Sequence, residues 1–191
     1  MAQGMYHYIK KAWKKPDKET LRLRMVDWRA TDSVVKVDKP LRLDKARALG
    51  YKAKKGFIVY RVRVKRGGRK RTRRGVKGRK SRKQTNRKTL KMSYQWVAEI
   101  RASKKHRNLE TLNSYWIGKD GKYYYFEVIM VNPEMPEIKS DRTINWIAKR
   151  ENTGRAERGL TSAARKSRGL RSKSHNLKVR PSLRSWNRKG K

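Results

Sequence analysis

The sequence has no cysteine, which excludes disulfides, thiolate nucleophiles and cysteine-based zinc sites. Its three histidines, His7, His106 and His175, lie far apart without metal-ligand spacing, so they are expected to be solvated or beside phosphate. No apolar run exceeds four residues, far below the roughly 20 that a membrane-crossing helix needs. Lys10 and Lys11 interrupt the N-terminus before any apolar core of a signal peptide can form, which favours an intracellular chain with no membrane partner. There is no GxxxxGKS/T, no GxGxxG after a strand, no HExxH and no GxSxG. Glu134 and Glu137, the closest acidic pair near prolines, read as a solvated loop. Neither a catalytic constellation nor a cofactor, metal or small-molecule substrate is expected. The surrounding cations would hold most carboxylates below their usual pKa, the wrong direction for a general acid.

Negative charge is scarce: 15 Asp and Glu face 56 Lys and Arg, for a formal charge of +41. The excess is localised. Lys45 to Ala98 contains 22 basic residues and no carboxylate, and Arg158 to Lys191 contains 12 and again none. The remaining 103 residues hold 22 basic and 15 acidic side chains, a net of +7. They resemble an ordinary domain, and six Trp and nine Tyr supply material for a core. Charge on this scale repels itself unless a polyanion neutralises it. Nucleic acid fits, because each phosphate contact releases condensed counterions.

Met5, Ile9, Ala12 and Trp13 space as one face of a helix over residues 5–13. Asp17 can cap a second helix, favoured for Leu21 to Trp28 because Asp17 and Glu19 complement its dipole. Asp44 to Leu49 predicts a short helix closed by Gly50. Phe57 to Val64 is the clearest strand, with Ile58, Tyr60, Val62 and Val64 on one face and Phe57, Val59, Arg61 and Arg63 on the other. Ser93 caps a helix to about Lys105 with Trp96, Val97 and Ile100 as its buried stripe. Leu112 to Val131 predicts a hairpin turning at Asp120-Gly121. Pro136 should keep the next segment loose, and Asp141 should cap a short helix carrying Ile144, Trp146 and Ile147. Thr161 to Arg168 suits two helical turns stopped by Gly169. The expected fold is α+β, a small antiparallel sheet packed with helices. Residues 1–64 and 89–150 would form the body, 65–88 a basic Gly/Arg/Lys loop and 151–191 a basic C-terminal extension.

Fourteen of the 23 residues from Arg61 to Lys83 are basic, unlike a typical Ser-, Pro- or acid-rich linker. Arg offers a planar fork for phosphate and Lys a compact charge. Gly67, Gly68, Gly75 and Gly78 allow sharp turns and close approach to another backbone. RNA contacts are therefore expected from Lys52, Lys54, Lys55, Arg61, Arg63, Lys65 and Arg66, from Gly67 and Gly68, and from Arg69, Lys70, Arg71, Arg73, Arg74, Lys77, Arg79, Lys80, Arg82 and Lys83. In the second segment the candidates are Arg158, Arg165, Lys166, Arg168, Arg171, Lys173, Arg180 and Arg184. Trp96, Trp116, Tyr123, Tyr125 and Phe126 read as core. Trp186, in the charged tail without apolar neighbours, suits stacking on a nucleotide or docking on another protein.

Four ordered blocks carry a family resemblance. Asp44 to Arg71 (DKARALGYKAKKGFIVYRVRVKRGGRKR), Tyr6 to Lys14 (YHYIKKAWK), Asn113 to Pro133 (NSYWIGKDGKYYYFEVIMVNP) and Arg158 to Leu170 (RGLTSAARKSRGL) closely resemble the ribosomal protein L-fifteen-e family of archaea and eukaryotes. The resemblance implies a non-enzymatic structural constituent of the large ribosomal subunit, supporting translation. Its partners would be large-subunit ribosomal RNA and neighbouring ribosomal proteins, and its extensions would be buried in RNA. Two other readings of the charge are a DNA-compacting protein, which would not need ordered Gly-Arg blocks and an aromatic core, and a cationic enzyme acting on RNA, for which no active-site residues stand out.

Overall fold

The computed structural model describes residues 3–68 and 89–171. Four strands, β1 (Val34–Val37), β2 (Phe57–Lys65), β3 (Glu110–Lys119) and β4 (Tyr123–Val131), form one antiparallel sheet in the order β1-β2-β4-β3. With its helices this is the expected α+β fold. β2 is the strand read from alternation, one residue longer. It pairs with β4 over its whole length, from Phe57 opposite Val131 to Lys65 opposite Tyr123. The hairpin of β3 and β4 closes at Asp120, whose carboxylate accepts from the Lys122 and Tyr123 amides at 2.7 and 2.5 Å. β1 went unpredicted, since four residues (VVKV) offer too little alternation to distinguish a strand.

Both faces of the sheet are covered. On one, Tyr60, Val62 and Val64 of β2 and Phe126, Val128 and Met130 of β4 pack beneath α4 (Tyr94–Lys105). On the other, Tyr115, Ile117, Tyr125, Ile129 and Val131 meet Trp28 of α2 (Lys18–Ala30), Ala46 of α3 (Leu43–Ala48) and Ile138, Ile144 and Ile147. β4 lies inside the sheet with helices on either side, so its sequence YYYFEVIMV is apolar almost throughout. Asp17 caps α2, accepting from Thr20 N at 2.9 Å. Gly50 follows α3 with φ 97°. Ser93 caps α4, accepting from Trp96 N.

Three local expectations change. In α4 the fully buried apolar residues are Ala98 and Ala102, while Val97 and Ile100 are only half-buried. Alanines let the helix sit close to the sheet, and the larger residues flank the contact. Pro136, expected to leave the chain loose, starts α5 (Pro136–Lys139), where its missing N–H has no intrahelical partner to lose. After Asp141 come two 3-10 turns, Asn145–Ala148 and Arg150–Asn152, instead of an α-helix. Beyond them the chain remains on the body. Ala156 and Ala164 are buried, Trp96 Nε1 donates to Ala156 O at 2.7 Å, and Thr161 caps α6 (Ser162–Ser167).

Candidate nucleic-acid interface

β2 delivers the chain to the glycine-arginine junction. Gly67 has φ 97°; its amide donates to the Tyr94 hydroxyl at 2.8 Å, and that hydroxyl lies 3.2 Å from Gly67 O. Tyr94 stacks on Tyr124 with ring centroids 4.8 Å apart, and the Arg66 guanidinium lies 5.1 Å from the centroid of the Tyr124 ring. The returning chain comes back to the same place: Gly67, Gly68, Leu90, Met92 and Tyr94 border one shallow pocket. Ser93 N then donates to Ser167 Oγ at 3.0 Å, joining the loop's return to the end of α6. The two carboxylate-free segments are thus rooted side by side at one end of α4. Arg165 and Lys166 are exposed there, and the last-turn position of these cations also suits the helix dipole.

The candidate cations fall into distinct groups. Lys55, Lys65, Arg66, Arg158, Arg165, Lys166 and Arg171 are exposed. Arg66 also reaches Asp120 O, Arg158 reaches Thr153 O, and Arg171 reaches Ser162 Oγ. Lys52 and Lys54 both grip Asp141, at 2.8 and 2.5 Å, and with Thr143 they hold its carboxyl well below the ordinary range. Arg61 and Arg63 face inward over aromatic rings, 5.2 Å from the Trp28 centroid and 4.8 Å from that of Tyr123. Arg63 Nη1 also bonds the Arg29 carbonyl at the end of α2. Arg168 is buried and donates to Gly159 O at 2.8 Å. Arg69, Lys70, Arg71, Arg73, Arg74, Lys77, Arg79, Lys80, Arg82, Lys83, Lys173, Arg180, Arg184 and Trp186 lie outside the described residues.

Several side chains depart from their expected surroundings. Trp116 is 41% exposed, whereas Trp96, Tyr125 and Phe126 are buried. It sits on the edge strand β3 beside a register irregularity between Trp116 and Gly118, on the face opposite to the buried Tyr115 and Ile117. His106 stacks on Tyr60 at 4.2 Å, and burial together with Lys105 lowers its pKa, so it belongs to the fold and not to solvent. Glu99 and Glu127 are almost wholly buried, and desolvation raises both pKa values despite nearby arginines. Thr161 Oγ1 donates to one Glu99 oxygen at 2.5 Å, and the Ser114 hydroxyl donates to the other. Glu127 accepts from Leu41 N at 3.1 Å and the Tyr115 hydroxyl at 2.5 Å. These carboxyls join separate parts of the chain. The anchoring roles of Tyr94 and Tyr124 were also missed; the only signal was Tyr94 following the helix cap directly.

Residues 4–186 match the family described as Ribosomal L15. The chain belongs to the ribosomal L15 family. A relative from Methanospirillum hungatei, "Large ribosomal subunit protein eL15", is 51% identical over 191 residues, covering 97% of each chain. A relative of the same name from Methanocella arvoryzae is 49% identical over 197 residues, covering 100% of each. Membership makes this a structural ribosomal protein, not an enzyme. Among the described residues, moreover, no helix is long and apolar enough to cross a membrane.

Proposed function

We propose that the protein is a structural constituent of the cytoplasmic large ribosomal subunit that binds and stabilises folded ribosomal RNA, mainly through backbone phosphates, and so supports translation. The observation that carries this reading is the common root of the two carboxylate-free segments, fixed by Tyr94 on Gly67 and by Ser93 on Ser167. In the proposed division, residues 1–64 and 89–150 make the body, and 65–88 and 151–191 are the main RNA-contacting segments. Bonds from the second of these to the body extend to Ser167, whose hydroxyl accepts from Ser93 N. Neighbouring large-subunit proteins are the remaining partners.

Recognition would rest on RNA shape. An A-form major groove is too deep and narrow for side chains to read, leaving backbone and 2′-hydroxyl contacts at a folded junction. The test is co-sedimentation. The protein should stay in the large-subunit peak through a high-salt wash, whereas a loosely held DNA-compacting protein would leave it. Loss from the peak at moderate salt would overturn the proposal.

A further inference from the structure

The N-terminal helix α1 (Met5–Ala12) carries a pattern that the two carboxylate-free segments do not account for. It presents three different faces. Tyr6, Ile9 and Trp13 form the docked face: the Arg47 guanidinium lies 5.6 Å from the centroid of the Tyr6 ring, and that of Arg42 lies 4.8 Å from the centroid of Trp13. Arg47 Nη1 also bonds the Tyr6 hydroxyl. These clamps from α3 and its N-cap fix the helix's rotation about its axis. His7, Lys10, Lys11 and Lys14 then fall at i, i+3, i+4 and i+7, so they share one outward stripe. With Lys15 they line a shallow groove. Among the described residues, none of these lysines lies within ion-pair distance of a carboxylate. The third face holds Met5 and Tyr8, each 58% exposed; Tyr8, three residues before Lys11, borders the cationic stripe there, while Met5 lies farther round. Tyr8 touches His7 edge-on, at 5.7 Å between centroids.

A cationic groove tracking phosphates beside an aromatic ring that bases can stack on is the combination that binds unpaired nucleic acid. A duplex would satisfy the lysines but offer Tyr8 no base face, because its bases are already stacked on one another. We infer that α1 is a separate binding site for a single-stranded stretch of ribosomal RNA, with Lys10, Lys11 and Lys14 on phosphates and Tyr8 stacked on a base. The inference rests on the proposed RNA-binding role and adds the site and the class of RNA it takes.

The test uses the full-length chain and protein-free large-subunit ribosomal RNA in particle reconstitution. With Tyr8→p-benzoylphenylalanine, ultraviolet light should join α1 to RNA, and reverse transcription should stop at an unpaired nucleotide. In binding titrations, Tyr8→Ala should weaken affinity roughly five- to hundredfold while Tyr8→Phe retains it. Lys10, Lys11 and Lys14→Gln together should make the log–log salt slope shallower by about 2, near 0.7 for each phosphate lost. Circular dichroism of each free variant checks that the body is folded. A stop within a base-paired stem, a crosslink only to protein, or no crosslink from incorporated protein overturns the inference and leaves the RNA-binding role standing. Failure of the parent chain to enter the particle defeats both.

Discussion

At Gly67 a backbone φ of 97° coincides with the point where the basic loop leaves the sheet. A side chain with a Cβ is strained there, and a β-branched one more so. Gly67→Val should therefore reduce uptake into reconstituted large subunits while the circular dichroism of the free protein stays unchanged. Equal uptake of variant and parent would deny the glycine a mechanical role. Glu99 raises a different issue, because burial favours its neutral form over the ordinary pKa of 4.5. The folded state then binds more protons than the unfolded chain between 4.5 and the raised value, so stability falls as pH rises through that window. Glu127 acts in the same direction. Asp141 and Asp120 oppose this only at lower pH, since their pKa values lie below 3.8, whereas His106, whose pKa burial lowers from 6.5, opposes it already below 6.5. Urea melts should show a Glu99-dependent gain in stability as pH falls toward about 4.5, set against the His106-dependent loss below 6.5, and a further loss below about 3.8. Glu99→Gln should flatten the first part, and an unchanged profile would show that Glu99 is not a source of it.

Among the elements, β2 has a divided role. Its Val62 and Val64 build the core under α4, while Arg61 and Arg63 support α2 through Trp28, Thr31 and the Arg29 carbonyl. Cations near a helix C-terminus offset its dipole, and Arg63 adds a ring contact on Tyr123. Arg63→Ala should destabilise the free protein by about 1–3 kcal/mol in urea melts and leave the salt slope of RNA binding unchanged. Arg165 and Lys166→Gln together should do the reverse, removing up to about 2 from the slope with little loss of stability. A reversed assignment of the two effects would show that Arg63 contacts phosphate. Alternation revealed that Arg61 and Arg63 share a face, but not that α2 covers that face, because their partners are thirty or more residues away in the chain. The same limit hid Glu99 and Glu127, whose burial depends on distant segments. Local signals were readable: the Asp17 and Ser93 caps, the Asp120 turn and the period of β2 all require only neighbouring residues. Trp116 failed because hydrophobicity marks a residue as fit for the core without identifying an edge strand.

Taken as a whole, the molecule concentrates +34 of its +41 in two segments whose described roots meet at Ser93 and Ser167. Salt dependence can apportion RNA contacts between them, since the slope counts phosphates neutralised and is insensitive to shape. For large-subunit RNA fragments the parent chain should show a log–log slope of roughly −5 or steeper. Changing Arg69, Lys70, Arg71, Arg73 and Arg74 to Ala should make it shallower by several units, at roughly 0.7 to 0.9 per lost contact. Arg69→Lys and Arg71→Lys preserve charge and lose the two-pronged grip, so they should keep the slope but weaken binding less than alanine does. Combining the five alanines with Arg165 and Lys166→Gln provides the check on architecture. If loop and extension hold different phosphates, the two reductions add. A combined slope no shallower than that of the five alanines alone would mean that the segments compete for one stretch of backbone. Their common root would then serve a single shared contact.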